Sequence, residues 1–477
     1  MGLSEINIKE SLDNARQLLA LEKNLSPALK ASMELLILIV SLLSNQVGLN
    51  SRNSSKPPSS DPNREKKTRS KGERKPGGQP GHEGKTLEPV DDPDDVKCIT
   101  LDRRRLPRGE YHDGGYEARQ VVDIDISLWV TEYRAQVLID QSGERYVAEF
   151  PTKVNRPIQY GDSVKAHAVY LSQYQLLPYN RIADYFNDQV GIPLSEGSIY
   201  NFNVEARGLI ESSGAAAIIK QRLQDSEVLH ADETGINVGG QRHWLHVASS
   251  LNWTWFHPHR QRGGEAMVDV GILPAYAGIL CHDHWKPYLA LKCQHSLCNA
   301  HHLRELECAW EQDDQAWAKS MQTLLLDINQ AVNDAGGKLT QEDGEAHRKN
   351  YKIILEAGDI ECPPPDETLR KPGQRGRLKR SKSRNLLERL RKYEDDVLRF
   401  MENTAVPFTN NQGENDIRMT KVQQKISGCF RSMVGAEIFC TVRSYIGSCR
   451  KQGVSATEAL SGLFAGSLPS IFVQTAE

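Results

Sequence analysis

Three acidic residues that lie far apart in the sequence are the set most able to do chemistry. Asp232 follows the strand-like run 228–231, Asp283 follows a second run at 278–282, and Glu414 lies where a helix is expected to start. Two carboxylates at the ends of adjacent strands, with a third from a helix, can hold a pair of divalent cations. Such a pair stabilises the attacking and leaving oxygens of a phosphodiester exchange. Oxygen ligands of this kind favour two Mg²⁺ or Mn²⁺ ions over zinc.

The segments around the first two acids predict how they meet. Strand candidates at 243–249 and 253–257 follow the first acid, and a helical stretch at 265–272 precedes the strand that leads to the second. Three strands, a helix and a strand beside the first make a ribonuclease H-like arrangement, in which the two carboxyl ends are neighbours. We therefore expect a ribonuclease H-like catalytic domain at 220–450, followed by a C-terminal cap at 451–477.

Two neighbouring acids compete with this choice. Glu233 adjoins Asp232, but alternation along a strand points it to the opposite face. Asp416 is two positions from Glu414, so on a helix it would face elsewhere. Each acid taken singly is more often a solvated surface charge, so the hypothesis rests on the whole set.

The long interval between the second and third acids predicts an insertion in the catalytic domain. Helical patterns at 317–332, 345–356 and 383–401 lie within it, and we place the insertion at about 310–406. The chain has a net charge of −3, yet between residues 370 and 392 there are eleven Lys or Arg and one acid. Local positive charge of this kind can bind DNA phosphates. The candidates in this tract are Lys371, Arg375, Arg377, Lys379 and Arg380.

The N-terminal region has the pattern of a coiled coil. Apolar residues recur at spacings of four and three from Leu29 to Val47, which predicts a helical coiled coil at 1–49 and a homo-oligomer. A single amphipathic helix packed on its own protein is the alternative. The longest apolar run, 35–43, is too short to cross a bilayer, so no membrane is expected as a partner.

Residues 50–93 are rich in Ser, Pro, Gly, Lys and Arg, which predicts a flexible basic linker. Alternating apolar residues at 120–126 and 132–150 then predict a small β-rich module at 94–155. The nine cysteines follow no regular framework, so reduced thiols in a cytoplasm are the simplest account.

A helix-turn-helix is predicted within 156–212. Residues 179–187 suit a first helix, Gly191 suits the turn, and Ser195 can cap a second helix that runs to about Arg207. Short paired helices are common, so the pattern alone does not establish DNA binding. The side chains best placed to reach DNA are Ser198, Asn201, Asn203 and Arg207.

A second group of metal-binding side chains consists of Cys293, Cys298, His301 and His302. Mixed Cys and His ligands suggest zinc, but this spacing is not that of a standard finger, and zinc is not expected here. His301, near the start of a helix, could instead contact the scissile phosphate, and Arg304 could lie one turn further along that face. A structural role for the histidine is the alternative.

Several motifs together carry a resemblance to a known family. They lie at 53–61, 74–82, 191–199, 232–234 and 298–304, and at 409–411, which leads to Glu414 and Arg418. With them the chain resembles DDE transposases of the bacterial insertion sequence 66 family over nearly its full length. The chain departs from the family in one respect. Family members look as though they carry a small Cys-rich zinc-binding module after the linker. Here Cys98 is the only cysteine before Cys281, so the module is predicted to bind no zinc.

The resemblance implies that Asp232, Asp283 and Glu414 bind the metal ions. It also implies DNA as the partner, both as terminal inverted repeats and as target, and accessory proteins encoded by the same element. The leading hypothesis is a multidomain, mainly α protein with an α/β core, which acts as a bacterial, nucleoid-associated DNA transposase. The alternatives are a ribonuclease H-like nuclease without strand transfer and a catalytically idle, sequence-specific DNA-binding protein.

Overall fold

The computed structural model describes residues 8–22, 25–47, 49–50, 52–54, 61, 87–366, 368, 370, 375–376 and 378–473. Contacts divide the chain into two units, one formed by residues 1–64 with 133–477 and the other by residues 65–132. The predicted linker and the predicted coiled coil lie partly outside the described residues.

In the smaller unit, the described residues are exposed and irregular apart from a 3-10 turn at Arg103–Arg105. The strand predicted at 120–126 is wrong. Val121 and Ile124 are both exposed there. Alternation predicts a strand only where a second strand and a core cover its apolar face, and neither covers this segment.

Two helices occupy the N-terminal region: α1 (Ile8–Leu21) and α2 (Pro27–Val47), which pack against each other. Apolar side chains of α2, among them Leu36 and Leu43, remain exposed. By length and composition, the window Pro27–Ser44 could cross a membrane, a test that signal sequences and core helices also pass. The helix extends beyond the apolar run 35–43 on both sides, so it is long enough for a span that the run by itself is not.

The next segments lead from a hairpin to a helical layer. Strands β1 (Val137–Ile139) and β2 (Arg145–Val147) pair antiparallel within the region of predicted alternation. The helices that follow are α3 (Asp162–Val169), α4 (Tyr179–Tyr185), α5 (Glu196–Ser212) and α6 (Ala215–Gln224). A π-helical turn, Phe186–Val190, extends α4 to Gly191, whose positive φ of 73° ends it. The predicted pair of helices with its glycine turn is confirmed.

Ser195 caps α5, because its side chain accepts a hydrogen bond from the backbone N–H of Ser198 at 3.1 Å. We expect Ser195→Ala to lower the free energy of unfolding by about 1 kcal/mol, since it leaves a helix donor unpaired. Ser195→Asp keeps an acceptor at the cap and is the matched control. Urea unfolding measures the free energy of unfolding, and an equal loss of stability in both variants would contradict the capping role of the Ser195 side chain.

A five-stranded mixed sheet follows, with strand order β5-β4-β3-β6-β7. Its strands and the helix between the third and fourth of them are β3 (Val228–Val238), β4 (Gln241–Ser249), β5 (Thr254–His259), α7 (Gly264–Val270), β6 (Ile279–His282) and β7 (Gln294–Leu297). The first three strands are antiparallel neighbours, whereas β6 runs parallel to β3 and β7 runs parallel to β6. The strand before Asp283 was predicted to lie beside the strand that carries Asp232. The parallel pairing of β6 with β3 confirms this prediction.

Helices complete the fold on both sides of the sheet. They are α8 (Asn299–Asp313), α9 (Ala316–Asp334), α10 (Gln341–Glu361), α11 (Lys382–Lys392), α12 (Glu394–Leu398), α13 (Asn411–Ile426), α14 (Met433–Lys451) and α15 (Ala456–Ala465). The helices predicted within the insertion are present, although the last is divided at Tyr393. They build a hydrophobic core of their own with β6, β7 and α8, around Trp317 and Leu387. A second core packs α3, α5, α6, α14 and α15 against the other side of β3.

Candidate active site

Asp232 lies within β3, directly after the buried residue Ala231. Its Oδ1 accepts a hydrogen bond from the backbone N–H of Glu233 at 2.8 Å. Burial, together with the negative charges of Glu233, Asp283 and Glu414, raises the pKa of the Asp232 carboxyl to about 7. Asp283 and Glu414 therefore both lie near enough to Asp232 to affect its ionisation.

Asp283 directly follows β6, whose Cys281 is opposite His230 of β3 in the parallel register. Its Oδ1 accepts a hydrogen bond from the backbone N–H of Trp285 at 2.9 Å. The ring of His282 is buried and bonds through Nδ1 to the backbone oxygen of Asp283. Burial lowers the pKa of His282 to about 3, so this histidine is neutral and holds the turn rather than supplying charge.

Asn410 attaches the start of α13 to β3. Its Nδ2 donates to the carbonyl oxygen of Ala231 at 2.8 Å, and its Oδ1 lies 2.8 Å from Nδ1 of His230. Its backbone N–H donates to Sγ of Cys298 at 3.2 Å. A Cβ at Gly413 would lie 3.3 Å from the Asn410 side chain, a tight contact that the glycine avoids. These contacts bring Glu414, in the first turn of α13, towards β3 near Asp232.

Glu414 has two neighbouring side chains that can bind a metal ion. Ligand atoms of Cys298, His301 and Glu414 lie within 4.8 Å of one another, and theirs is the one such group found among the described residues. Asp232, Asp283 and Glu414 do not form such a group among the described residues, so their joint binding of metal ions stays a prediction. The Glu414 carboxylate lies beside a thiol and an imidazole.

The predicted Cys and His group is thus only half correct. Cys298 and His301 do lie together, but their third partner is Glu414, which no spacing in the sequence indicated. His302 is buried and its Nδ1 lies 3.0 Å from Oδ1 of Asn299, so His302 has a structural role. A role of this kind was the alternative considered for His301. Cys293 does not belong to the group. All nine cysteines lie unpaired.

Glu233 is a buried carboxylate that the sequence analysis set aside. Its side chain is 1% exposed and accepts hydrogen bonds from Nε of Arg262 at 2.8 Å and from the Tyr288 hydroxyl at 2.5 Å. Burial raises the pKa of Glu233, and the charge of Asp283 also raises it. The carboxylate therefore lies beside the predicted triad, but its charge is compensated by Arg262. The only sequence signal was its position next to Asp232.

Asp416 faces away from the triad, as predicted. Its Oδ2 accepts hydrogen bonds from Lys451 at 2.7 Å, from Ser249 at 2.5 Å and from Thr254 at 3.2 Å. The residue attaches α13 to the end of α14 and to β4 and β5. Its role is structural.

The four candidate DNA-binding residues on α5 differ in accessibility. Asn201 is exposed, and Ser198 is half-buried beside the cap. Asn203 is fully buried and hydrogen-bonded to Ser172 at 2.9 Å and Tyr179 at 3.0 Å, so its prediction as a DNA contact is wrong. Arg207 is half-buried and pairs with two carboxylates, those of Glu211 at 2.8 Å and Glu437 at 2.9 Å. These ion pairs make it a structural residue as well.

The basic tract of the insertion is partly neutralised by its own fold. Lys371 and Arg377 lie outside the described residues. Arg375 and Lys379 are exposed, whereas Arg380 pairs with Glu388. Further arginines in the tract pair with acids of α8 and α10: Arg384 and Arg391 with Asp359, and Arg389 with Glu305. The tract therefore offers fewer cations to DNA than its sequence suggests.

Two more candidates lie close to the acids in sequence and structure. Arg418 is exposed on α13, one turn after Glu414, and Arg304 is half-buried on α8, one turn after His301. Both lie on the two helices whose starts meet at Cys298 and Asn410. They remain candidates for phosphate contact.

The strand predicted to end before Asp232 continues to Val238, so Asp232 lies within β3, whereas Asp283 directly follows the parallel neighbour β6. A family model described as Transposase IS66 family matches residues 157–438, more than half of the chain, and the protein belongs to this family. The match includes Asp232, Asp283 and Glu414. A second family model, described as a family of unknown function (DUF6444), matches residues 4–88. No curated protein matches the chain.

Proposed function

We propose that the protein is a DDE transposase that cleaves DNA at terminal inverted repeats and joins the freed 3′-hydroxyls to target DNA. Asp232, Asp283 and Glu414 are its metal-binding residues. The observation that carries the proposal is the placement of Asp232 on β3 and of Asp283 directly after its parallel neighbour β6, with Glu414 close enough to raise the pKa of Asp232, in a member of a transposase family. The strand order β5-β4-β3-β6-β7, with β6 parallel to β3, supports a ribonuclease H-like core.

The donor set fits two Mg²⁺ or Mn²⁺ ions. The raised pKa of Asp232 reflects burial and the negative charges around it, and the guanidinium of Arg262 binds Glu233. Oε1 of Glu414 is buried without a hydrogen-bond partner. Hard cations would satisfy both features. When bound, such ions lower the pKa of an attacking water or hydroxyl and stabilise the leaving oxygen.

The chain's own residues prepare this site. Asn410 fixes the start of α13 to β3, and neutral His282 fixes the backbone of Asp283. Arg262 and Tyr288 hold Glu233, so that it does not compete for the ions. Complete assembly requires the Glu414 carboxylate to turn from Cys298 and His301 towards the two aspartates.

DNA binding would involve the helix-turn-helix and the basic residues that remain accessible. Asn201, Arg375, Lys379 and Arg418 are exposed and are the first candidates for DNA contacts. The exposed apolar face of α2 supports self-association of the N-terminal helices as a coiled coil. Accessory proteins of the same element would be further partners of this bacterial, nucleoid-associated enzyme.

A cleavage and joining assay on DNA that carries the ends of the encoding element tests the proposal. We expect nicked and joined products that require Mg²⁺ or Mn²⁺, and a loss of more than about 100-fold in Asp283→Asn and Glu414→Gln. Asp225→Asn, which changes an exposed acid just before β3, is the matched control. Undiminished activity in both triad variants would contradict the proposal. Nicks without joined products would indicate a nuclease, and binding without cleavage under any metal would indicate a DNA-binding protein alone.

A further inference from the structure

The starts of two helices meet at a group of three different metal-binding side chains. Cys298 is the N-cap residue of α8 and is buried, His301 lies in the first turn of α8, and Glu414 lies in the first turn of α13. Their sulfur, nitrogen and oxygen ligand atoms lie within 4.8 Å of one another. This composition differs from the all-oxygen set assigned to the proposed reaction.

Two members of the group have polar atoms that lack a partner. Nδ1 of His301 and Oε1 of Glu414 are buried and make no hydrogen bond. An unsatisfied buried polar atom costs about 1–3 kcal/mol, and folded proteins rarely retain one without a reason. Their occurrence in two of three adjacent side chains indicates a missing ligand rather than isolated packing defects.

The chemistry of the three side chains selects the ligand. A thiolate and an imidazole are poor ligands for Mg²⁺ and Ca²⁺ but suit Zn²⁺ and Co²⁺. Tetrahedral coordination at Zn–S of about 2.3 Å and Zn–N or Zn–O of about 2.0 Å separates ligand atoms by roughly 3.3–3.6 Å. The observed group needs only small side-chain shifts to reach that spacing. Three protein ligands leave a fourth position for water.

Burial and the charge of Glu414 raise the pKa of the Cys298 thiol, whereas backbone N–H groups oppose this rise, so a bound metal ion would be needed to stabilise the thiolate. The backbone N–H of Asn410 donates to its Sγ at 3.2 Å, a contact that strengthens when the sulfur is negatively charged. Hydrogen bonds of this kind orient metal ligands from outside the coordination sphere. Asn410 therefore contacts both Cys298, beside the three-residue group, and Ala231, which precedes Asp232.

We propose that Cys298, His301 and Glu414 bind one Zn²⁺ ion, and that this ion withdraws Glu414 from Asp232 and Asp283. On binding, the Cys298 thiol releases its proton to solvent as the Zn–S bond forms. The site would act as an inhibitory switch, because the same carboxylate is needed at both places. The inhibitory role rests on the proposed function, whereas the binding of Zn²⁺ does not.

Titration of the metal-free, full-length protein with Co²⁺ tests the binding. We expect one equivalent of Co²⁺ to give a thiolate-to-cobalt charge-transfer band in the near ultraviolet, together with the visible bands of tetrahedral cobalt, and Zn²⁺ to abolish both. Cys298→Ser should lose the charge-transfer band, and His301→Asn should weaken Co²⁺ binding by more than about 10-fold. Cys308→Ser, which changes a half-buried cysteine on the same helix, should keep the band. Absence of the band in the wild type, or its loss only in Cys308→Ser, would overturn the site.

Inhibition of cleavage tests the consequence. In the presence of Mg²⁺, we expect one equivalent of Zn²⁺ to suppress DNA cleavage by the wild type and by Cys308→Ser. The Zn²⁺ concentration for half-inhibition should rise at least about 10-fold in His301→Asn relative to the wild type. A cobalt band with cleavage that Zn²⁺ does not affect would overturn the inhibitory role. A cobalt band in a protein that cleaves with no metal would retain the Zn²⁺ site and contradict the proposed function.

Discussion

Asp232→Asn is expected to abolish metal-dependent DNA cleavage, by more than about 100-fold, and at the same time to stabilise the metal-free protein above pH 7. The activity falls because the amide is a poor ligand for a hard cation at the centre of the proposed site. The stability rises because the substitution removes a buried charge that three neighbouring acids oppose. Opposite effects on activity and stability are typical of a residue retained for function.

The pH dependence of this stabilisation follows from the pKa of Asp232, which is raised from 3.8 to about 7. Between these values the unfolded chain has released a proton that the folded chain still binds, so the free energy of unfolding falls as pH rises through this window. Below pH 4 the carboxyl is protonated in both states, and the penalty is absent. The full penalty, on the order of 2–4 kcal/mol, applies above pH 7.

Urea unfolding in EDTA at pH 4 and at pH 8 measures this effect. We expect Asp232→Asn to lose less stability than the wild type between the two pH values, whereas Asp225→Asn should behave as the wild type does. The same decline in all three proteins would show that the buried carboxyl does not titrate as described.

Asn410→Ala is expected to lower the free energy of unfolding by about 2–4 kcal/mol and to reduce cleavage by more than about 10-fold. The substitution leaves the Ala231 carbonyl and the buried His230 ring without their partners, and each unsatisfied group costs about 1–3 kcal/mol. It also releases the start of α13 from β3, so Glu414 loses its fixed position relative to Asp232.

Asn415→Ala, an exposed change on the same helix, is the matched control and should alter neither property by much. Urea unfolding and the cleavage assay are run on both variants. A stability loss without any loss of cleavage would show that Asn410 supports the fold but does not position Glu414.

The sheet could be predicted because its strands begin in local apolar patterns, and the elements between β3 and β6 leave one simple path for the chain. The end of β6 before Asp283 was predicted, whereas β3 continues past Asp232 to Val238 because it pairs with β4. The strand predicted at 120–126 had the same alternation but no partner to pair with. A sequence pattern indicates which face of a strand is apolar, but it does not indicate whether another strand or helix packs against that face.

The partners of individual side chains could not be predicted, because they come from distant parts of the chain. Arg207 is neutralised by Glu437, 230 positions away, and Asn410 is bonded to His230, 180 positions away. The compensation of Glu233 by Arg262 and the proximity of Glu414 to Cys298 depend on how strands and helices pack. Residue types predict which side chains could bind metal ions or DNA. Tertiary packing determines which of them are neutralised by ion pairs or buried, and which remain accessible.

The most direct test of the metal-binding triad is the location of Mn²⁺ by anomalous diffraction from crystals of the protein bound to terminal-repeat DNA. We expect two Mn²⁺ peaks held between Asp232, Asp283 and Glu414, with the Glu414 side chain turned away from Cys298 and His301. Saturating Mn²⁺ with no peak at the two aspartates, or with Glu414 still directed at the cysteine, would contradict it.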